Sequence, residues 1–341
     1  MKSKSSETRY DFIDVAKGIG VFLVILSHLL EYDSLLSIII YRFHVPLFFL
    51  LSGLFAKTNV RFVECMKKSI KRLLVPYLIF FAIGIFVTIV IYGFKSIDYF
   101  DLLRNFFLAK LTDINVGSIW FLAALFNVTI LFNLLQRFIL KNNNMVVVLF
   151  VLGLMCFVAF YLPKIQERIS FEIPFKIHVS LMAIVFYMIG FYLKNHILSL
   201  NFCLNSLERI FILLVFGAVI VIIPFLIPDI INFAHARYGS SLFNFLFVAF
   251  CGSFFVITLS VVLRRFRPLA YIGKNSLIIF SLHTLFIPLF NYLIDTFVIS
   301  NNVFVSIIGG ILILLIMIVL CFCYDISKRI INDFVKKMKN R

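Results

Sequence analysis

Residues 14–31 read Asp14-Val-Ala-Lys17-Gly-Ile-Gly-Val-Phe-Leu-Val-Ile-Leu-Ser-His28-Leu-Leu-Glu31. Between its polar positions the run is continuously apolar rather than alternating. Helix at about 1.5 Å per residue needs roughly 20 such residues to cross a hydrocarbon core of about 30 Å. Nine further stretches have the same character. The ten expected spans cover approximately 12–32, 36–56, 73–93, 117–136, 145–162, 174–193, 208–227, 241–263, 269–290 and 303–324. A closed barrel is disfavoured, because its strands alternate and are about half as long. Composition agrees: 62% of the 341 residues are apolar and 14% charged, and a soluble chain of this size has no way to cover so much apolar surface. The expected fold is an all-α integral membrane protein, a single polytopic domain over 1–341. Disorder, secreted disulfide scaffolds and ordinary cytosolic folds are excluded. Six cysteines follow no metal or redox spacing, so no metal site is expected and small apolar filler is the simplest reading.

The net charge of +16 raises the question of nucleic acid, and its distribution answers it. Counted by alternating loops, 24 Lys and Arg fall on the side of the two termini and seven on the other, with Arg42 inside a span. The positive-inside rule therefore predicts cytoplasmic termini, and the basic charge reads as a topology signal with no nucleic-acid partner. No removable signal peptide is expected, since the first apolar run is long enough to span. The longest loop, 94–116, carries aromatics and leucines at helical spacing and predicts a short interfacial helix on the outer side.

Ionisable groups inside a membrane are costly, and each is a functional candidate. Eleven helical steps from Lys17 to His28 return to within about 20° of the same face, over a rise of about 16 Å. Asp14 and Glu31 flank that stripe. The plain alternative is that Asp14, Lys17 and Glu31 snorkel to the interfaces, a course less open to the deeper His28. In the second span, Arg42 and His44 precede Pro46, which frees a backbone carbonyl on the preceding turn. His44 either takes part in chemistry or hydrogen-bonds such a carbonyl. Lys67-Lys68-Ser69-Ile70-Lys71-Arg72 stands at the start of the third span and suits phosphate, although such runs also serve topology or anionic lipid. Arg264, Arg265 and Arg267 share that ambiguity. His178 and His283 lie within spans, His196 and His235 in loops, and Trp120 opens the fourth span where indoles anchor to the interface.

These landmarks resemble a known family. Asp14-x-x-Lys17-Gly18 with His28, Phe43-His44-x-Pro46-Leu47-Phe48-Phe49-x-x-Ser52-Gly53, Ile119-Trp120-Phe121-Leu122, and Ile272-Gly273-Lys274-Asn275-Ser276-Leu277 up to His283 are similar to the membrane acyltransferase-3 family, in particular its nodulation and fucose O-acetylase-like branch. The resemblance runs over nearly the whole chain. It implies ten spans and transfer of an acyl group, commonly acetyl from acetyl-CoA, onto cell-surface carbohydrate. The family pairs an Arg with a His after ten intervening residues; here Lys17 stands at the first position, keeping the charge but losing the planar fork. It also carries two arginines three apart before span three, where this chain has Lys68 and Lys71, or the neighbouring Arg72. No fused extracellular esterase-like domain is expected.

The expected reaction is O-acyl transfer at a cell membrane, in a multi-pass protein of a bacterial plasma membrane. Acyl-CoA is the co-substrate with no permanently bound cofactor, and carbohydrate or lipid-linked glycan is the acceptor. Donor binding falls to Lys17, Lys68, Lys71 and Arg72, general-base catalysis to His28 with Glu31 orienting its ring or holding the imidazolium, and substrate lining to Asp14, Arg42, His44, Trp120 and His283. An acyl-histidine intermediate and a continuous tunnel remain alternative routes across the membrane. The rival function is a transporter or exporter of a polysaccharide or lipid-linked intermediate.

Overall fold

The structure, a computed structural model, describes residues 11–93, 98–110, 114, 116–138, 144–169, 172–297 and 302–339. In hydrocarbon the backbone must satisfy its own hydrogen bonds, which selects helix for isolated apolar segments. The first span is α1 (Asp11–Leu29). The second is broken into α2 (Leu35–Tyr41) and α3 (His44–Gly53). Helix α4 (Phe62–Ser69) passes through a π-helical turn, Ile70–Leu74, into α5 (Val75–Tyr92), and the short α6 (Tyr99–Leu108) follows. Spans four to six are α7 (Trp120–Phe138), α8 (Met145–Ile169) and α9 (Ile177–Tyr192). A connecting α10 (Lys194–Cys203) leads to α11 (Ser206–Leu226) and α12 (Leu242–Val262). The ninth span is assembled from pieces: α13 (Arg267–Lys274), α14 (Ser276–Leu282), a 3-10 turn His283–Phe286, and α15 (Ile287–Thr296). Helix α16 (Val303–Lys339) completes the chain. Among the described residues ten helical stretches are long and apolar enough to cross a membrane, and each overlaps one of the expected spans.

Helix α1 is the axis of the bundle, packed against α3, α12, α13 and α16, while α3 lies between α1, α9 and α12. The rim helices α5, α8 and α11 expose Phe86, Val90, Phe150, Leu214 and Phe225, an apolar surface suited to lipid. In the 94–116 loop the expected short helix is α6. It exposes Tyr99, Phe100, Leu103 and Phe107 and turns Phe106 inward onto Tyr77 and Phe81, ring centroids 5.3 and 4.7 Å away. Residues 94–97, 111–113 and 115 of that loop fall outside the described residues.

Two crossings are too close for side chains. A Cβ added at Gly53 would lie 1.9 Å from the Tyr187 carbonyl oxygen, and one at Gly190 would lie 2.0 Å from that of Leu50. The α3–α9 contact is thus glycine on backbone from both sides. Gly18 and Gly273 play the same reciprocal part between α1 and α13, against the carbonyls of Leu269 and Asp14. Tail-to-tail lipid contacts offer no hydrophobic drive for helix pairing, so close van der Waals approach supplies much of it. Gly53→Ala and Gly190→Ala are each expected to cost about 1–3 kcal/mol through overpacking. Their effects combine non-additively because they share one contact. Gly153→Ala on α8, with nothing within 4 Å of the new methyl group, is expected to be neutral or stabilising by up to about 1 kcal/mol. Thermal unfolding in detergent reads all three.

Candidate active site

Three histidines meet where helices end or break. His28 lies in the last turn of α1, His44 opens α3 after the break in span two, and His283 opens the 3-10 turn that breaks span nine. The ring centroids of His28 and His283 are 5.3 Å apart. His44 packs edge-on against Tyr41 at 5.2 Å. Its Nδ1 donates to the Ile40 carbonyl at 2.7 Å, and Nδ1 of His283 donates to the Phe280 carbonyl at 2.8 Å. A carbonyl oxygen only accepts, so in both rings Nδ1 carries the proton and Nε2 keeps its lone pair in the neutral form. Nε2 of His283 is buried and makes no hydrogen bond. Of the two readings raised for His44, the structure shows the bond to a carbonyl at the helix break; the ring also lines the cavity described next.

That cavity, of about 550 Å³, is walled by His28, Tyr41, His44, Trp120, Phe233, His235, Phe280, Thr284 and Asn291 among others. The His28 side chain is exposed, and what it faces is this cavity. His283 is fully buried behind it. Glu31, expected to orient the His28 ring from one turn away, sits beyond the helix in an exposed turn, because α1 ends at Leu29. The neighbouring ring is His283, from a helix 255 residues on. Arg42, expected to line substrate, is buried and donates from one guanidinium nitrogen to the carbonyls of Ile227 and Asp229. It caps the end of α11 and is absent from the cavity wall. Trp120 is buried and stacked near Phe233, centroids 6.5 Å apart, so its indole serves the cavity and not the lipid interface.

The other end of α1 adjoins a second cavity, of about 410 Å³. Ser52, Phe55, Lys57, Cys65, Lys68, Lys71, Arg72, Thr129, Asn133 and Tyr187 are among its lining residues. The structure thus gathers Lys68, Lys71 and Arg72 in one concavity; Lys57 and Asn133 join them without any sequence signal. The π-helical turn at Ile70–Leu74 carries Lys71 and Arg72, and such turns favour functional positions. Lys17 lies 3.9 Å from Asp14 and over the ring of Phe55, 5.7 Å from its centroid, so it flanks this cavity through Phe55. Asp14 itself is buried beside α13.

The two cavities share no lining residue. Between them lies a layer of phenylalanines: Phe121 sits 4.8, 6.0 and 5.2 Å from Phe49, Phe48 and Phe280. Helix α3 runs from Val45 in one cavity to Ser52 in the other, a rise of about 10 Å, and α7 from Trp120 to Leu125, about 7.5 Å.

Residues 10–324 match the family model described as the acyltransferase domain. The chain belongs to the acyltransferase-3 family. As a member it is a multi-pass membrane acyltransferase, and the histidine cavity and the basic cavity are the features of this acyltransferase to which group-transfer chemistry can be assigned. No curated protein and no solved structure gives a match.

Exposure of the basic cavity is directly testable on its cysteine. Cys65 lines it, whereas Cys156, Cys251 and Cys321 are buried. A charged maleimide is expected to add to Cys65 of the native acyltransferase and to leave those three unmodified. Peptide mass mapping locates the label, and Cys65→Ser removes it.

Proposed function

We propose that this acyltransferase moves an acyl group, acetyl being the simplest, from acyl-CoA to a hydroxyl of a cell-surface or lipid-linked carbohydrate. The observation that carries the reading is the pairing of a basic cavity and a histidine cavity, separated by one layer of aromatic rings. The basic cavity, on the side of the termini, faces the cytoplasm in this reading, as the excess of Lys and Arg on that side supports. The membrane is a bacterial plasma membrane.

The phosphates of coenzyme A sit against Lys57, Lys68, Lys71 and Arg72, with Lys17 adding positive charge beside Phe55. The acyl-bearing arm points toward the phenylalanine layer. Passage of the thioester to the histidine cavity requires Phe121 and its neighbours to swing aside, since the cavities do not join. His28 then takes the proton of the acceptor hydroxyl as the oxygen attacks the thioester carbon. The carbon–sulfur bond breaks, and the coenzyme A thiolate leaves and is protonated by the imidazolium. His283 acts as a positioning residue: its protonated Nδ1 is tied to the Phe280 carbonyl, which leaves an acceptor nitrogen beside His28.

His28→Ala is expected to lower acyl transfer by about 10²–10⁴-fold while the protein still inserts. Glycan mass spectrometry of complemented deletion cells reads the loss, and an unchanged acyl increment removes His28 from the mechanism. His283→Ala is expected to lower kcat with little change in KM for acyl-CoA and to displace the pH–rate profile. A purely structural role would leave that profile in place.

On the donor side, coenzyme A is expected to slow maleimide addition to Cys65 and to do so less as salt rises. Lys17→Arg retains most activity and Lys17→Met loses most of it. If Asp14→Asn restores transfer to Lys17→Met, the Asp14–Lys17 pair is structural; restored expression without transfer assigns Lys17 to the donor.

A further inference from the structure

The side opposite the termini is poor in cations, yet those it has converge. Five Lys or Arg there have described side chains, and four of them, Arg104, Lys110, Lys176 and Arg237, line one cavity of about 470 Å³. Lys164, the fifth, lies over Phe160 and Tyr161. Lys110, Lys176, Ala234 and His235 belong to the walls of both this cavity and the histidine cavity. The cationic space is therefore a vestibule opening onto the site of His28.

Among the described residues, one carboxylate lines the vestibule. Glu172 accepts from Lys110 and, at 2.7 Å, from Arg104. The hydrogen bond from Lys110 holds its carboxyl below the usual carboxylate range. Arg104 also lies 4.0 Å from Asp101, and Arg237 is exposed. Lys176 is buried and uses one of its three ammonium protons on the Ala234 carbonyl, at 2.9 Å. His178 lines the same space, and its buried Nδ1 has no partner. Burial first, then the charges of Lys176, Arg237 and Lys110, pushes His235 down to about 4, so it is neutral near pH 7.

The backbone around this cavity is strained. Ala109, Phe175, Lys176 and Ala236 all adopt left-handed conformations with φ between 52° and 55°. Such strain persists where the surroundings over-determine it, and it concentrates at ligand sites.

We infer that the acceptor is an acidic carbohydrate whose phosphate or carboxylate docks in this vestibule on Arg104, Lys110, Lys176 and Arg237. Its hydroxyl then reaches into the adjoining cavity toward His28. The inference rests on the acyl-transfer reading and narrows its substrate class. Among the described residues lining it, four cations face one carboxylate, an excess that an anion neutralises. Bidentate capture by Arg and the point charges of Lys suit either oxyanion.

The test uses the full chain in nanodiscs of zwitterionic lipid, titrated with glucuronate, glucose 1-phosphate and uncharged glucose. Glucuronate and glucose 1-phosphate are expected to raise the unfolding temperature and glucose to leave it unchanged. Lys110→Met and Arg237→Gln are each expected to weaken the anionic sugars by about tenfold. Glu172→Gln, which removes the competing carboxylate, is expected to tighten them. Lys110→Arg and Arg237→Lys should bind nearly as wild type, which separates charge from misfolding. Equal response to glucose, or anion affinity unmoved by every one of these variants, overturns the inference. So does stabilisation through the same residues by phosphatidylglycerol alone, because the site then holds a lipid headgroup. Repeating the titration in His28→Ala separates the two readings: intact anion binding beside undiminished transfer removes the base and leaves the vestibule standing.

Discussion

Within hydrocarbon a main-chain carbonyl at a helix end has no water to turn to, and the protein must supply its donor. This acyltransferase breaks two of its spans, and side chains at the breaks supply such donors; two of them, His44 and His283, belong to its candidate site. His44 takes the Ile40 carbonyl at the end of α2. His283 takes the Phe280 carbonyl at the end of α14. Arg42, in the same break as His44, takes the carbonyls beyond α11. For the histidines the structural bond has a chemical consequence. Tying Nδ1–H to the backbone decides the tautomer and leaves Nε2 as the basic nitrogen. Broken helices here are a means of holding imidazoles in a defined protonation form.

Close glycine packing makes the second requirement possible, the convergence of helices far apart in sequence. Gly18 and Gly273 let α13 lie against the backbone of α1, and the chain that continues from α13 carries His283 to His28. Gly53 and Gly190 do the same for α3 and α9. The latter helix starts just after its N-cap Lys176 and so sets one wall of the cationic vestibule. Each face of the molecule thus has a basic concavity, and the phenylalanines around Phe121 keep the two apart. In the proposed reaction, whose reactants come from both sides of the membrane, such a layer would stand against an open aqueous path while leaving a thickness of only a turn or two of helix to cross.

Much of this was legible in the chain itself. Ten apolar runs have a length dictated by the bilayer. The Lys17–His28 spacing is a matter of helical periodicity, which an unbroken α1 preserves. The basic run at Lys67–Arg72 announces a charged concavity by composition. Glu31 misled for a local reason: three residues after His28 it would share a neighbouring face if the helix continued, but the helix stops two residues short of it. Trp120 left two readings open, because an indole at a span end is equally suited to an interface or to a cavity wall; the structure places it in the wall.

The sequence by itself therefore determined the class of solvent, the number of crossings and the charge difference between the two faces. Each of these depends on composition and on repeats within one segment. Only the tertiary structure decided that His283 and not Glu31 stands beside His28. It alone decided that Arg42 is a cap, and that Arg104, Lys110, Lys176 and Arg237 surround one space. These are relations between segments 61 to 255 residues apart, set by which backbones can approach closely and which carbonyls need a donor. No periodicity within a single helix records either condition.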